Sequence, residues 1–462
     1  MSIFYKSCRS IDVVQLRGLI FRTMGDVILQ HPALSAIPVD EDTPSPYFAR
    51  LHHIDLAKAT TFLTSPKVFN EELGPGELNR LLEEQHNANF LPFRPDIPVW
   101  RLVIVHEPEN GSKFIACFVY HHAIADGTSG FAFHRSFLTA LCEHTQEIQA
   151  SRVNMRSSEA EQKGIHIVPT SEKALCQSLE ALHPLGLSTS FILKSLWREY
   201  FSKLPPHFWS GPKITVDACR QRSRFQSIQF SQHITQNLVR LCRSQYTSVT
   251  AALEAALAAA VFTELPYNQY DRLRVDGAVS LRRWLPEEVV DENSMGNWVS
   301  RYLEEHRRPQ HNRPTETTDA LGLFSWDEAR RIKATIDLEL AKCGKDSVVG
   351  LLRFAGDLHK YFKGKVGASR EESFEFSNVG VFQSGQQNAS NRHSWQTGRV
   401  VFSQSADVIG AAFEVSLVTG EDMCLNIGFS WLEGVVQEQW MGKVIRTYEH
   451  LVDTIVLSNH GK

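Results

Sequence analysis

The sequence predicts a layered α/β protein of two domains, in which helices cover mixed sheets. Its 462 residues are enough for two to three domains of about 150 residues each. Strand patterns of period two alternate with helical patterns in both halves of the chain. The stretch 146–212 is polar and then rich in proline and glycine, as a connection between domains is. We therefore expect an N-terminal domain over 1–205 and a C-terminal domain over 206–462.

The first half begins with a helix and continues with a hairpin. Apolar residues from Val13 to Ile28 fall on one face of a helix that ends before Pro32. Two apolar runs, 99–106 and 114–120, flank an Asn-Gly turn and predict a β-hairpin. Because all residues of 114–120 are apolar, we expect this second strand to be covered on both faces. A helical pattern over 131–141 follows it.

The second half mixes strands and helices in the same way. The alanine-rich stretch 247–262 predicts a closely packed helix with a Thr or Ser cap. Alternating apolar residues over 413–429 predict a hairpin with one buried face. The stretch 191–201 predicts a helix packed on the domain interface, which we prefer to a helix on a membrane surface. Further strands and a closing helix are predicted at 227–231, 273–281, 373–382, 398–406 and 436–455.

Composition and charge exclude several classes of function. With 48 basic and 52 acidic residues, the chain has a net charge of −4 and lacks the basic excess typical of nucleic-acid binding. Its eight cysteines contain no C-x-x-C pair, which argues against a disulfide framework or a zinc site and favours a reducing compartment. No signal peptide or membrane-spanning run is recognisable. We expect a monomeric, soluble cytoplasmic protein that binds no nucleic acid.

One segment, HHAIADG at 121–127, carries candidate chemistry. It brings two imidazoles and a carboxylate to the end of a buried strand, where an unpaired polar group costs about 1–3 kcal/mol. The segment fits a general base, with one histidine held in a single tautomer, Asp126 fixing the loop and Gly127 permitting a backbone turn. The alternative is a structural role, in which the histidines cap the sheet and Asp126 caps the next helix. No metal site is expected, because the adjacent side chains of His121 and His122 point to opposite faces of an extended chain.

The pattern HHxxxDG resembles the signature of the chloramphenicol-acetyltransferase-like superfamily, which includes condensation domains, BAHD acyltransferases and fungal alcohol acetyltransferases. The last family fits best, and the resemblance runs over nearly the whole chain. The BAHD motif DFGWG is absent, and the corresponding late strand reads FSQSADV. The other matching segments, in the family's order, are HPAL at 31–34, QHNANF at 85–90, PVWRL at 98–102, TSVTAAL at 247–253, VSLR at 279–282, MGNWV at 295–299 and FSNVG at 376–380.

This resemblance implies two chloramphenicol-acetyltransferase-like domains that meet at a central channel. Acetyl-CoA would enter as a co-substrate, with no tightly bound cofactor, and a secondary-metabolite alcohol would be the acceptor. His122, the second histidine of the motif, would draw the hydroxyl proton. His121 and Gly127 belong to the same motif, and Asp126 would pair with Arg282 of the SLR pattern.

Four further residues are candidates by their position in the matching segments. Ser377 and Asn378 of FSNVG are candidate oxyanion or substrate contacts. Arg283 should face away from Asp126, because side chains alternate along a strand. Thr247 and Thr250 would contact CoA or, as we prefer, cap their helix.

Two other functions remain open at this point. A condensation-type enzyme would take its acyl group from a carrier protein and form an amide or ester. A non-catalytic binding module of the same fold would bind the ligands without turnover.

Overall fold

Strands and helices alternate along the computed structural model, which describes residues 1–69, 75–90, 97–150, 166–201, 204–215, 221–309, 319–354, 356–385 and 394–458. Part of the predicted domain connection, 151–165, lies outside the described residues. The strands are β1 (Ser2–Ser7), β2 (Ala36–Val39), β3 (Tyr47–Arg50), β4 (His53–Asp55), β5 (Thr60–Thr64), β6 (Trp100–Glu107), β7 (Asn110–Tyr120), β8 (Ile167–Pro169), β9 (Ser223–Phe230), β10 (Arg272–Ser280), β11 (Val299–Arg307), β12 (Phe374–Val381), β13 (Trp395–Val401), β14 (Phe413–Thr419) and β15 (Leu425–Leu432).

The α-helices range in length from 4 to 24 residues. They are α1 (Val13–Gln30), α2 (Leu56–Ala59), α3 (Gly76–Asn87), α4 (Gly127–Ala150), α5 (Leu179–Leu182), α6 (Thr189–Phe201), α7 (Gln232–Ser244), α8 (Val249–Glu264), α9 (Ala320–Leu323), α10 (Trp326–Ala341), α11 (Val348–Leu351), α12 (Leu358–Gly364) and α13 (Glu438–Leu457). The predicted opening helix is confirmed as α1, whose first turn is capped by Asp12. The predicted closing helix is confirmed as α13.

The first sheet contains the predicted hairpin and has the strand order β13-β1-β7-β6-β5. Strands β6 and β7 are antiparallel, with Leu102 opposite Phe118. One face of β7 packs with α1 and α4 through Phe114 and Phe118. Its other face packs against α3 through Ile115 and Cys117. The expectation that this strand is covered on both faces is therefore confirmed.

An edge strand of the first sheet comes from the second half of the chain. β13 pairs antiparallel with β1, with Ser2 opposite Val401. Because β13 lies beyond residue 205, the predicted boundary between 1–205 and 206–462 does not separate the strands of the two sheets. The first sheet therefore depends on a strand from the second half of the chain.

The second sheet has the strand order β11-β10-β12-β14-β15-β9. The hairpin of β14 and β15 forms as predicted, with Phe413 opposite Trp431. The expectation of one buried face is wrong, because every residue of both strands is buried. Helices α8 and α13 cover one face. The chain following β13 crosses the other face, where Gln404 accepts a hydrogen bond from Ser430 and the Asp407 amide donates to Glu414 at 2.6 Å.

Helix α8 forms the centre of the second core. All its residues from Ala251 to Phe262 are buried, as the alanine-rich pattern predicts. Small side chains allow this helix to approach its neighbours closely. Its cap is Ser248, whose hydroxyl accepts from the Ala251 amide at 3.1 Å.

Helix α3 of the first half docks on β9 of the second sheet. Ser227 donates to Asn79 Oδ1 at 2.6 Å. Asn87 exchanges two bonds with the backbone of Ser223, since its amide nitrogen donates to the carbonyl and its oxygen accepts from the amide, each at 2.8 Å. These polar contacts, together with β13, hold the two sheets together.

Helix α6 meets only in part the prediction of a helix packed on the domain interface. It does form a helix, but Leu193, Trp197 and Phe201 are 62%, 60% and 72% exposed. No single helix of the described residues is long and apolar enough to cross a membrane. The consecutive helices α7 and α8, bent by 100° at their junction, match a span in length and composition only.

Candidate active site

The HHxxxDG segment forms the loop between the buried strand β7 and the start of α4. The His121 amide donates to the carbonyl of Val99 at 2.9 Å, which extends the pairing of β6 and β7 by one residue. The chain then leaves the sheet, and α4 begins at Gly127. The loop is therefore anchored by a rigid strand on one side and a long helix on the other.

His122 is exposed at this loop and is contacted from the second half of the chain. The Asn297 amide nitrogen lies 3.1 Å from His122 Nδ1 and donates to the His122 carbonyl at 3.0 Å. Since that nitrogen donates, Nδ1 accepts, and the neutral ring in this arrangement carries its proton on Nε2. Among the described residues, no side chain or backbone group hydrogen-bonds His122 Nε2.

A cavity of about 550 Å³ begins beside His122, at Ala123. Elements from both halves form its walls: β2, β3 and the loop joining them on one side, α12 and the segment after Gln404 on the other. Most of its lining is apolar. The lining residues are Pro38, Glu41, Pro46, Tyr47, Phe48, Ala123, Leu358, His359, Phe362, Lys363, Val366, Val408 and Ile409.

Asp126 lies fully buried and forms an ion pair with Arg282. Arg282 Nη2 donates to Asp126 Oδ1 at 2.9 Å, and the arginine side chain is only 10% exposed. Ser129 donates to the same oxygen through its amide and its hydroxyl, each at 2.8 Å. The Trp298 amide donates to Asp126 Oδ2 at 3.3 Å. Both carboxylate oxygens are thus satisfied, as a buried charge requires.

Arg282 is held by more than its partner carboxylate. Its Nη1 donates to the carbonyl of Ser294 at 2.8 Å, and its guanidinium stacks 4.6 Å from the centre of the Trp298 ring. Arg283 lies over its neighbour Trp284 instead. The SLR arginine therefore reaches the motif, and the adjacent one does not.

Tyr120 completes the packing under the loop. Its hydroxyl donates to the carbonyl of Asp126 at 2.8 Å. Burial and the charge of Asp126 raise the pKa of this phenol well above its ordinary value, so that it remains a neutral donor.

His121 turns away from His122 and has a different set of contacts. Its Nδ1 accepts a hydrogen bond from the Ala123 amide at 3.1 Å. Its Nε2 therefore carries the proton in the neutral ring and lies 3.8 Å from Glu41 Oε1. This side chain ties the loop together and extends toward the cavity wall.

Gly127 has a different role from the one predicted. Its φ angle is not positive, so no left-handed turn requires a glycine here. A Cβ atom at this position would instead lie 2.7 Å from Val379 Cγ1 and 3.1 Å from Phe402 Cζ. Gly127 is therefore the point at which the start of α4 touches the end of β12.

Ser377 and Asn378 point to opposite faces of β12. Asn378 lies on the helix side, where its amide nitrogen donates to Thr250 Oγ1 at 3.0 Å and its oxygen accepts from the Gly380 amide. Ser377, the preceding residue of the strand, is buried on the other face. The side chains of Ser377, Asn378 and Thr250 do not line the described cavity.

Thr247 is 7% exposed and its hydroxyl donates to the carbonyl of Ala329 at 2.8 Å. The expectation that it caps α8 is wrong, because Ser248 occupies that position. Its buried hydroxyl serves to join α8 to α10.

Sequence reasoning missed two features of this region. Asn297 stands in the segment MGNWV, which matches the family, but no role was predicted for it. The second feature is a row of carboxylates on three neighbouring strands. Asp276 of β10 lies opposite Glu375 of β12 in the strand register, and Glu375 lies opposite Glu414 of β14. Burial and neighbouring negative charge raise the pKa of Glu375 to about 8. The signal in the sequence is a glutamate between apolar residues in two similar strand segments, SFEFS at 373–377 and AFEVS at 412–416.

A metal centre finds no support in the part of the chain that the structure describes. There, no group of three His, Cys, Asp or Glu side chains is arranged to hold an ion.

Asp126→Asn is expected to lower the free energy of unfolding by about 3–5 kcal/mol, because it leaves a largely buried arginine without its counter-charge. Urea unfolding measures this change. The control is Asp337→Asn, which breaks an exposed i,i+4 pair with Lys333 and should cost less than about 1 kcal/mol. Parental stability with lost activity would instead make Asp126 a direct participant in the chemistry.

Gly127→Ala is expected to destabilise the protein by about 1–3 kcal/mol, because the new methyl group meets Val379 and Phe402. Alanine is a better helix former than glycine by about 1 kcal/mol. A stabilised variant would therefore show that Val379 and Phe402 move aside at little energetic cost. Gly398→Ala in β13 is the control, since its Cβ meets no atom within 4 Å. Thermal melting of both variants decides between these outcomes.

Comparison with known proteins agrees with this architecture. The family model for alcohol acetyltransferases matches residues 79–452. A probable alcohol acetyltransferase of Aspergillus fumigatus, crmB, is 33% identical over 454 residues, which cover 96% of this chain and 92% of that protein.

Two solved structures share the fold at low sequence identity. The TRI3 trichothecene 15-O-acetyltransferase from Fusarium sporotrichioides has a TM-score of 0.67 at 13% identity, covering 98% of this chain and 90% of its own. The first condensation domain of the CDA synthetase has a TM-score of 0.57 at 13% identity, covering 98% and 89%. The fold is thus of the chloramphenicol-acetyltransferase-like type, and the sequence match over most of its length shows that this chain belongs to the alcohol acetyltransferase family.

Proposed function

We propose that this acyltransferase moves an acetyl group from acetyl-CoA to a hydroxyl of a small apolar alcohol, with His122 as the general base. The observation that carries the proposal is the position of His122. It is exposed at the end of a rigid strand, next to the residue at which an apolar cavity begins, and it is contacted from the second half of the chain.

The reaction needs one proton acceptor and no covalent enzyme intermediate. His122 draws the proton from the acceptor hydroxyl while its oxygen attacks the thioester carbonyl. The tetrahedral intermediate then collapses, the carbon–sulfur bond breaks, and the imidazolium returns its proton to the CoA thiolate. The products are an acetate ester and free CoA.

Asn297 is a positioning residue in this proposal. A base at Nε2 needs the proton on Nδ1, and rotating the Asn297 amide by 180° would let its oxygen accept that proton's hydrogen bond. The same side chain would then stabilise the imidazolium that forms during the step. Such a rotation gives up the bond from the amide nitrogen to the His122 carbonyl and keeps a contact with the ring, now with the ring as donor.

The cavity lining supports an apolar acceptor. Aromatic and aliphatic side chains such as Tyr47, Phe48 and Phe362 would surround the carbon skeleton. Glu41, His359 and Lys363 are the polar groups available to orient further oxygen atoms of the acceptor. A volume of about 550 Å³ fits a small multi-ring or long-chain alcohol.

A carrier-protein donor is the competing proposal, and the likeness to a condensation domain supports it only at the level of the fold. Incubation with acetyl-CoA or with an acetyl-loaded carrier protein, each with a panel of apolar alcohols, separates the two. A product gaining one acetyl group in the first reaction supports the CoA donor. Product from the carrier reaction alone would favour the alternative, and ligand binding without product in either would favour a non-catalytic module.

His122→Ala is expected to lower kcat by at least about a hundredfold, because a positioned general base contributes about 10²–10⁴ in rate. His121→Ala is the matched comparison and should retain more activity, since its ring contacts the loop backbone. Steady-state kinetics of both variants test the assignment. If His122→Ala kept more than a tenth of the wild-type rate, His122 would not be the base.

Asn297→Ala and Asn297→Asp test the positioning role with opposite signatures. Removing the amide should lower kcat about tenfold or more with little change in KM, because ring orientation is lost while substrate contacts remain. A carboxylate at the same position accepts from Nδ1–H and stabilises the imidazolium, so the acid limb of the pH–rate profile should move to higher pH. Profiles that coincide with the wild type for Asn297→Asp would assign Asn297 to loop structure alone.

A further inference from the structure

The exposed side of helix α6 is its apolar side. Leu193, Leu196, Trp197 and Phe201 follow at helical spacing and are 62%, 49%, 60% and 72% exposed. The partly buried Phe191, Ile192, Ser195 and Arg198 lie toward the protein. A helix of a soluble domain normally buries its apolar stripe, whereas α6 leaves four large apolar side chains exposed.

Helix α12 continues the apolar surface. Tyr361 donates to Glu199 of α6 at 3.3 Å, which joins the two helices. Tyr361 and Phe362 are 38% and 42% exposed, and Phe362 also lines the cavity. We name this surface the α6–α12 face, formed by Leu193, Leu196, Trp197, Phe201, Tyr361 and Phe362.

Basic side chains surround these apolar groups. Lys194 lies on α6, and Lys360 and Lys363 lie on α12, which contains no acidic residue. All three lysines are exposed. Arg198 is paired with Glu371 at 3.6 Å. Glu199 of α6 is exposed beside these three lysines, and the surface keeps a local positive charge in a chain whose net charge is −4.

We propose that the α6–α12 face docks on a membrane surface that contains anionic lipids. Tryptophan, phenylalanine and leucine at helical spacing would enter the boundary between headgroups and acyl chains. The flanking lysines would remain at the headgroup level and attract acidic lipids. Helix α6 would lie in the plane of the membrane and would not cross the bilayer.

A second copy of the chain is a poorer occupant of this face. A symmetric dimer buries the same patch on both partners, so Lys194, Lys360 and Lys363 of one copy would meet the equivalent cations of the other. An anionic bilayer supplies both the apolar interior and the opposite charge. Because Phe362 lies on the face and in the cavity wall, docking would turn this side of the cavity toward the lipid.

Vesicle sedimentation tests the proposal without measuring acetyl transfer. The full-length protein is mixed with vesicles of phosphatidylcholine alone or with about 30% phosphatidylserine. We expect binding to the anionic vesicles that weakens in 0.5 M salt. The variant Leu193→Glu/Trp197→Glu should bind at least tenfold more weakly, and each of Lys194→Glu and Lys360→Glu about fivefold or more.

Matched controls are available on another exposed helix. Leu338→Glu changes a residue of α10 that is 68% exposed, and Lys333→Glu changes a partly exposed lysine of the same helix that pairs with Asp337; both should bind like the wild type. Wild-type protein that stays in the supernatant with both vesicle types would overturn the proposal, as would equal losses in the control variants. A doubled mass in light scattering that Leu193→Glu/Trp197→Glu halves would assign the face to a dimer instead.

Discussion

The buried ion pair between Asp126 and Arg282 is the contact on which the rest of the site depends. Desolvating two charges is costly, and the cost is offset here because Ser129, Ser294 and Trp298 supply hydrogen bonds to the same two groups. Those donors and acceptors come from both halves of the chain. The pair therefore defines the distance between the loop after β7 and the loop before β11.

That distance determines where His122 stands relative to Asn297. The histidine is exposed, so neither burial nor a tight pocket holds its ring in one orientation. The amide of Asn297 is the group that reaches it, and this amide sits one residue from Trp298, whose backbone binds Asp126. The buried charge pair and the imidazole of His122 are thus linked through two adjacent residues.

The position of β13 in the first sheet has a consequence for the whole molecule. Its edge position beside β1 and the chain that follows it across β14 and β15 bring polar residues of the second sheet into the interior. Glu414 and Ser430 are buried for this reason, although their alternation with apolar residues is typical of a solvent face. The cavity beside Ala123 is lined by this same crossing segment at Val408 and Ile409. The segment that leaves β13 therefore also forms part of the cavity wall.

The sequence by itself determined the local elements and the identity of the motif. Helices α1 and α13 follow from apolar spacing, α8 from its alanine-rich composition, and the hairpin of β6 and β7 from two apolar runs around an Asn-Gly turn, because these signals act between residues a few positions apart. The family pattern also indicated Arg282, 156 residues from its partner, which no periodicity could have done.

Only the tertiary structure decided which groups meet. The contact of Gly127 with Val379, the approach of Asn297 to His122 and the outward turn of the apolar side of α6 each depend on how distant segments pack. No local pattern encodes such contacts, since a residue's spacing specifies which face of its own element it occupies and not what that face is packed against.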